Sequence, residues 1–164
     1  KTQSYSARDA RHLLWVHCAF TDSFLRAHLE LGYPISLGAD RYVQEWSKSA
    51  IPLGLNSAPQ SALELQETID GFVLNEVETI GMTPPIVRFI LKPPFSRGGL
   101  FFYRILANAA IATIDEPFLK VLGLKKRSKI WLRVSRRLLD FLSYMLGHES
   151  PSQKIARARI QALQ

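Results

Sequence analysis

The 164-residue sequence contains one cysteine, Cys18, and none of the short motifs that mark common catalytic or metal-binding folds. A single cysteine excludes a disulfide within the chain and is typical of a reducing compartment, so we expect a cytoplasmic protein. The sequence has no Cys-x-x-Cys pair, no His-Glu-x-x-His, no glycine-rich phosphate loop and no Gly-x-Ser-x-Gly turn. Zinc, nucleotide-binding and serine-hydrolase functions of those types therefore have no support.

No hydrophobic run is long enough to cross a bilayer. The most apolar stretch, residues 98–114, contains Arg104 and Asn108 and is shorter than the ~20 residues that a spanning helix needs. No signal-peptide pattern precedes the first predicted helix. We therefore expect residues 98–114 to form a buried helix in a protein without a transmembrane span.

Acidic residues are nearly absent from the C-terminal third. Residues 117–164 contain eleven Lys and Arg but two Asp and Glu, whereas residues 1–116 contain ten and twelve. The net charge of +7 therefore arises in the C-terminal third, where an acidic protein, a nucleic acid or an anionic membrane would bind. A solvated helix face explains the same pattern. No acid interrupts the basic segment, which comprises Lys120, Lys125, Lys126, Arg127, Lys129, Arg133, Arg136 and Arg137.

Helical periodicity recurs along the whole chain, and no strand-like alternation interrupts it. Glycine and proline separate the helical segments, as at Gly32 and Pro34 or at Pro93 and Pro94. With 47% hydrophobic residues, residues 1–164 can bury the core of one domain. We predict an all-α fold, a compact bundle of about seven or eight helices. The predicted helices span residues 7–31, 37–53, 62–74, 84–91, 96–114, 116–122, 126–146 and 152–163, and a short one ends near residue 80.

Side chains that favour helix N-termini precede several of these segments. The candidate caps are Ser6, Ser36, Ser61 with Glu64, Ser96 and Asp115. Apolar residues at helical spacing predict the buried face of the first helix and of the long helix near the C-terminus. These predicted faces are Leu13, Phe20, Phe24 and Leu31, and Ile130, Trp131, Val134, Leu138, Phe141 and Met145.

His17 lies on the predicted inner face of the first helix, and Thr21 follows one turn later. An inward imidazole can ligate a haem or donate a hydrogen bond in a pocket. A core histidine that simply finds a hydrogen-bond partner fits the same spacing, and the residues alone leave both interpretations open. We expect Cys18 to be a small core residue, and His12 and His148 to lie at the surface or at a helix end.

Residues 5–24, YSARDARHLLWVHCAFTDSF, resemble a conserved-looking stretch of the MpaB-like oxygenase family, which includes the rubber oxygenases. The resemblance continues through the second helix, the loop before the third and the C-terminal end. The residues that carry it in residues 5–24 are Tyr5, Ala7, Asp9, Leu14, Trp15, Val16, His17, Asp22 and Ser23. Further along they are Arg41, Tyr42, Glu45, residues 53–55, Pro59, Ser61, and residues 119–123 and 156–159.

This resemblance implies an all-α domain that binds haem b and cleaves or hydroxylates an apolar organic substrate with oxygen. Members of the family have further helices before the segment that starts at Tyr5, and one of them carries the histidine that ligates iron in rubber oxygenases. The sequence begins at Lys1, which implies a truncated or partial member. His17 matches the family's second histidine, so the resemblance implies that His17 and Thr21 line the cofactor pocket.

A second hypothesis does not need the cofactor. A non-catalytic helical subunit would bind an anionic partner through the basic C-terminal third. A helix-turn-helix regulator is a weaker third hypothesis, because no pair of short helices with a recognition face is evident. The proposed contacts of the second hypothesis are Lys125, Lys126, Arg127, Lys129, Arg133, Arg136 and Arg137.

Overall fold

The computed structural model describes residues 6, 9–78, 81, 83–147 and 151–162. Across those residues all regular structure is helical, which confirms the all-α prediction. The helices are α1 (Ala10–Leu31), α2 (Gly38–Ser47, continued by the 3-10 turn Lys48–Ala50), α3 (Ala62–Asn75), α4 (Thr83–Leu91), α5 (Arg97–Thr113), α6 (Glu116–Leu122), α7 (Ile130–Leu146) and α8 (Pro151–Gln161).

Helix α1 begins at Ala10, because the side chain of Asp9 caps it. The Asp9 carboxylate accepts hydrogen bonds from the backbone N–H groups of Arg11 and His12, at 2.8 and 3.1 Å. The predicted cap at Ser6 is therefore wrong, and residues 7 and 8 lie outside the described part. The helix ends at Gly32, as predicted, where a φ of +72° lets the chain turn in the left-handed region.

Of the other predicted N-terminal caps, some are confirmed and one is wrong. Ser61 Oγ accepts a hydrogen bond from the Glu64 backbone at 3.2 Å, and Ser96 Oγ accepts one from Gly99 at 3.4 Å, so both predictions are confirmed. Asp115 occupies the cap position of α6 but makes no capping bond. The prediction for Ser36 is wrong, because α2 starts one residue later without a side-chain cap. The long helix α7 starts four residues later than predicted and α2 ends earlier.

Two clusters of buried side chains hold the helices together, and α1 packs against the helices of both clusters. The first cluster lies between α1, α2 and α3, and the second lies between α5 and α7. Helix α1 packs against α2 and α3 on one side and against α5 and α7 on another. The first cluster consists of Cys18, Leu25, Val43, Leu65 and Ile69, and the second of Ala109, Ala112 and Leu132.

The predicted buried faces of α1 and α7 are largely wrong. Phe20 and Phe24 are 55% and 45% exposed, and the buried positions of α1 are His17, Cys18, Thr21 and Leu25. Apolar side chains occur on more than one side of α1, so periodicity alone selects the wrong side. Helix α7 likewise buries Leu132 and Ser135, whereas four predicted core residues are exposed, namely Ile130, Val134, Phe141 and Met145.

Candidate functional site

His17 lies in the middle of α1 and is only 4% exposed. No described residue hydrogen-bonds to its ring, while its backbone carbonyl accepts a 2.7 Å hydrogen bond from Thr21 Oγ1. In the described part of the chain, every fully buried polar side-chain atom has a hydrogen-bond partner. The ring nitrogens of His17 have no such partner, so they must be partly exposed at the surface. Burial lowers the pKa of the imidazole, which is therefore neutral near pH 7.

An exposed row of aromatic rings lies on the same side of α1 as His17. Phe20 and Phe24 stack with centroids 6.0 Å apart, and Phe24 stacks on Trp46 of α2 at 5.6 Å and 19°. Helical spacing places Phe20 and Phe24 three and seven positions after His17, in the same sector of the helix. Val16, which is half-exposed, borders the row. We call Val16, Phe20, Phe24 and Trp46 the aromatic face.

The aromatic face and His17 together fit the chemistry of a haem pocket wall. A flat macrocycle is bound by apolar and aromatic surface, and a neutral imidazole can hydrogen-bond or ligate within the pocket. His17 supplies such an imidazole, with nitrogens that no described residue occupies. The described residues contain no group of three or more His, Cys, Asp or Glu that would hold a free metal ion.

A cavity of about 510 Å³ lies on the opposite side of α1, between α1, α5, α6 and α7. On α1 it is bordered by Trp15, Ala19 and Arg26, which lie about half a turn away from His17 around the helix, and towards the end of α1 by Ala27 and Leu31. The two predicted cofactor residues therefore do not line it. Its described wall residues include no His, Cys, Met or Tyr, the side chains that bind haem iron, so none of them could ligate one.

A network of charged side chains occupies one end of the cavity. The Arg26 guanidinium contacts Asp22 Oδ2 at 2.8 Å, Asp115 Oδ2 at 2.6 Å and Gln66 Oε1 at 3.1 Å. It thereby joins α1 to α3 and to the start of α6. The spacing of Asp22 and Arg26 is a visible i,i+4 pair, but no local pattern indicates their partner Asp115.

Three of the seven predicted anionic-partner residues make contacts inside the protein. Lys126 donates to the carbonyl of Ile114, and Lys129 pairs with Glu30 at 3.1 Å. Arg136 donates to the carbonyls of residues 31 and 32, both at 2.8 Å, and its guanidinium lies over the ring of Tyr33. These contacts attach the region of α7 to the end of α1. The remaining four, Lys125, Arg127, Arg133 and Arg137, are exposed.

The remaining residues considered in the sequence analysis are Cys18, His12 and His148. Cys18 is fully buried, as predicted, and burial raises the pKa of its thiol to about 11, which makes it unreactive. His12 is exposed at the start of α1, also as predicted. His148 lies outside the described residues. No described helix is both long and apolar enough to cross a membrane.

The family model described as "ER-bound oxygenase mpaB/B'/Rubber oxygenase, catalytic domain" matches residues 1–144. No curated protein and no solved structure matches the chain.

Proposed function

The chain belongs to the catalytic-domain family of the ER-bound mpaB and rubber oxygenases, and we propose that it serves haem-dependent oxygen chemistry on an apolar organic molecule. The main support for this proposal is the environment of His17. Its imidazole is neutral and almost fully buried, and the ring nitrogens have no hydrogen-bond partner among the described residues. Because its ring nitrogens reach the surface, this neutral imidazole is free to hydrogen-bond a ligand that covers it.

The residues of this chain would form one wall of the pocket. Haem b, when bound, would supply the iron that activates oxygen. His17 would offer a ring nitrogen for a hydrogen bond in the pocket, and the family resemblance assigns it to the wall rather than to the iron. Thr21 lies one turn after His17 and is 1% exposed, and its hydroxyl donates to the His17 carbonyl. Phe20 and Phe24 would exclude water and contact the apolar substrate.

Titration of the purified chain with haem tests the proposal. We expect a saturable shift of the Soret band for the wild-type chain and at least about tenfold weaker binding for His17→Ala. The matched control is His12→Ala, which removes an exposed histidine from the same helix and should bind haem like the wild type. His17→Gln retains a polar side chain of similar length, and circular dichroism shows whether each variant keeps its helices.

Two results would overturn the proposal. One is the absence of any saturable Soret change with the wild-type chain. The other is equal haem affinity of the wild type and of folded His17→Ala and His17→Gln. Oxygen consumption on an apolar substrate is the later test. Hydroxylation would also require an electron source, whereas cleavage of a double bond, which puts both oxygen atoms into the products, would not.

A further inference from the structure

The cavity between α1, α5, α6 and α7 has the properties of a second binding site. We propose that it binds an apolar organic molecule with one hydrogen-bond-donating head group, an alcohol or a protonated amine. The head group would lie at Asp22 and Asp115, and the apolar body would lie between the helices. This site does not rest on the proposed haem chemistry, because α1 separates the cavity from His17.

The size and walls of the cavity suit a small apolar molecule. Its volume of about 510 Å³ falls within the ~300–1,000 Å³ of typical small-molecule sites. Small side chains on the facing helices leave this space, since Ala19 and Ala27 on α1 oppose Ala109 and Ala110 on α5. Larger apolar residues complete the walls, namely Trp15, Leu31, Ile69, Leu106, Ile114, Phe118, Leu122, Leu132 and Leu139.

Several hydrogen-bond donors at the cavity already make bonds within the protein. All three guanidinium nitrogens of Arg26 contact Asp22, Asp115 or Gln66. Ser135 Oγ donates to the Ile105 carbonyl at 3.3 Å, and Thr113 Oγ1 donates to a carbonyl of its own helix at 2.8 Å. A carboxylate that shared the Arg26 guanidinium would lie beside the carboxylates of Asp22 and Asp115, which would repel it.

Acceptors, in contrast, remain available. The Oδ1 atoms of Asp22 and Asp115 accept no hydrogen bond from any described residue. Two carboxylates against the single guanidinium of Arg26 leave a net charge of −1 at this end of the cavity. This arrangement favours a neutral or cationic donor and repels an anion, since like charges placed together in a partly buried site are strongly unfavourable.

Three ligands that differ only in their head groups test the proposal. Binding of 1-decanol, decylamine and decanoate to the full chain without haem would be measured by calorimetry and by tryptophan fluorescence, below the concentrations at which the ligands aggregate. We expect saturable binding of the alcohol and the amine, and at least about tenfold weaker binding of decanoate. His17→Ala should not change these affinities, which separates this test from the haem proposal.

Two substitutions locate the ligand. Asp115→Asn removes one charge and keeps the side-chain shape, so decanoate should bind more tightly and decylamine less tightly than in the wild type. Ala110→Leu narrows the cavity and should weaken all three ligands by about tenfold or more. Its matched control is Ala158→Leu, the same change on the exposed helix α8, which should bind all three like the wild type.

The proposal is overturned by any of three results. The first is no saturable binding to the wild-type chain, and the second is equal affinity for the three head groups. The third is equal behaviour of Ala110→Leu and Ala158→Leu when circular dichroism shows that both are folded.

Discussion

Replacement of Leu65 by alanine tests the packing of α3 on α1, the helix that contributes to both candidate sites. Leu65 is 2% exposed and lies in the cluster with Cys18, Val43 and Ile69. Truncation of a fully buried leucine removes its transfer free energy and leaves a cavity, which together cost about 2–5 kcal/mol. A domain of this kind is stable by about 5–15 kcal/mol, so the loss is a large part of the free energy of unfolding.

The same helix provides the control. Leu63 lies two positions earlier and is 68% exposed, so Leu63→Ala should change the free energy of unfolding by no more than about 0.5 kcal/mol. Both substitutions change helix propensity identically, and the difference between them therefore reports burial alone. Urea denaturation followed by circular dichroism measures both. Equal effects, or a larger effect at Leu63, would show that α3 presents a different face to α1 and would refute the reasoning.

Three further predictions follow from individual residues. With a pKa of about 11, Cys18 should react with iodoacetamide at pH 8 at least about tenfold more slowly in the native chain than in urea, and equal rates would contradict its burial. Burial lowers the pKa of His17 below 6.5, so the unfolded chain binds the proton more tightly. The free energy of unfolding should therefore fall as the pH decreases from about 6.5 through the lower pKa of the folded state. The fall should be larger in the wild type than in His17→Gln, which urea midpoints at pH 7.5 and pH 5 will show. Gly71→Ala should raise the free energy of unfolding by about 0.5–1 kcal/mol, since a Cβ in the middle of α3 meets open space. Gly32→Ala should lower the free energy of unfolding by about 1–2 kcal/mol, because the residue has a φ of +72° and a Cβ would collide with Arg136. Destabilisation by both substitutions would contradict the different surroundings described for the two glycines.

The sequence predicts helices well where their ends depend on local chemistry. The bounds of α6 are as predicted, because Asp115 and Gly123 flank it and Gly123 takes the left-handed conformation that ends a helix. The start of α3 follows in the same way from the hydroxyl of Ser61. Helix α7 begins later than predicted, since nothing in the basic run before Ile130 marks a boundary.

Burial was harder to predict, because it depends on which helices meet. The inward position of His17 is confirmed, yet Phe20 and Phe24, which were assigned to the same buried face, are half-exposed. No period in the sequence shows that α1 packs through the smaller side chains of Cys18 and Thr21. The contact between Arg26 and Asp115 was missed for a related reason, since the two residues are distant in sequence and only the fold brings them together.

Helix α8 has a consequence for the dynamics of the chain. Its described side chains, from residue 152 to residue 162, are all exposed, so burial of these side chains does not stabilise the helix. A helix of this length is marginal in water when its own hydrogen bonds are its main support. Its amide protons should therefore exchange with solvent far faster than those around Cys18 in α1, and proteases should cleave it first.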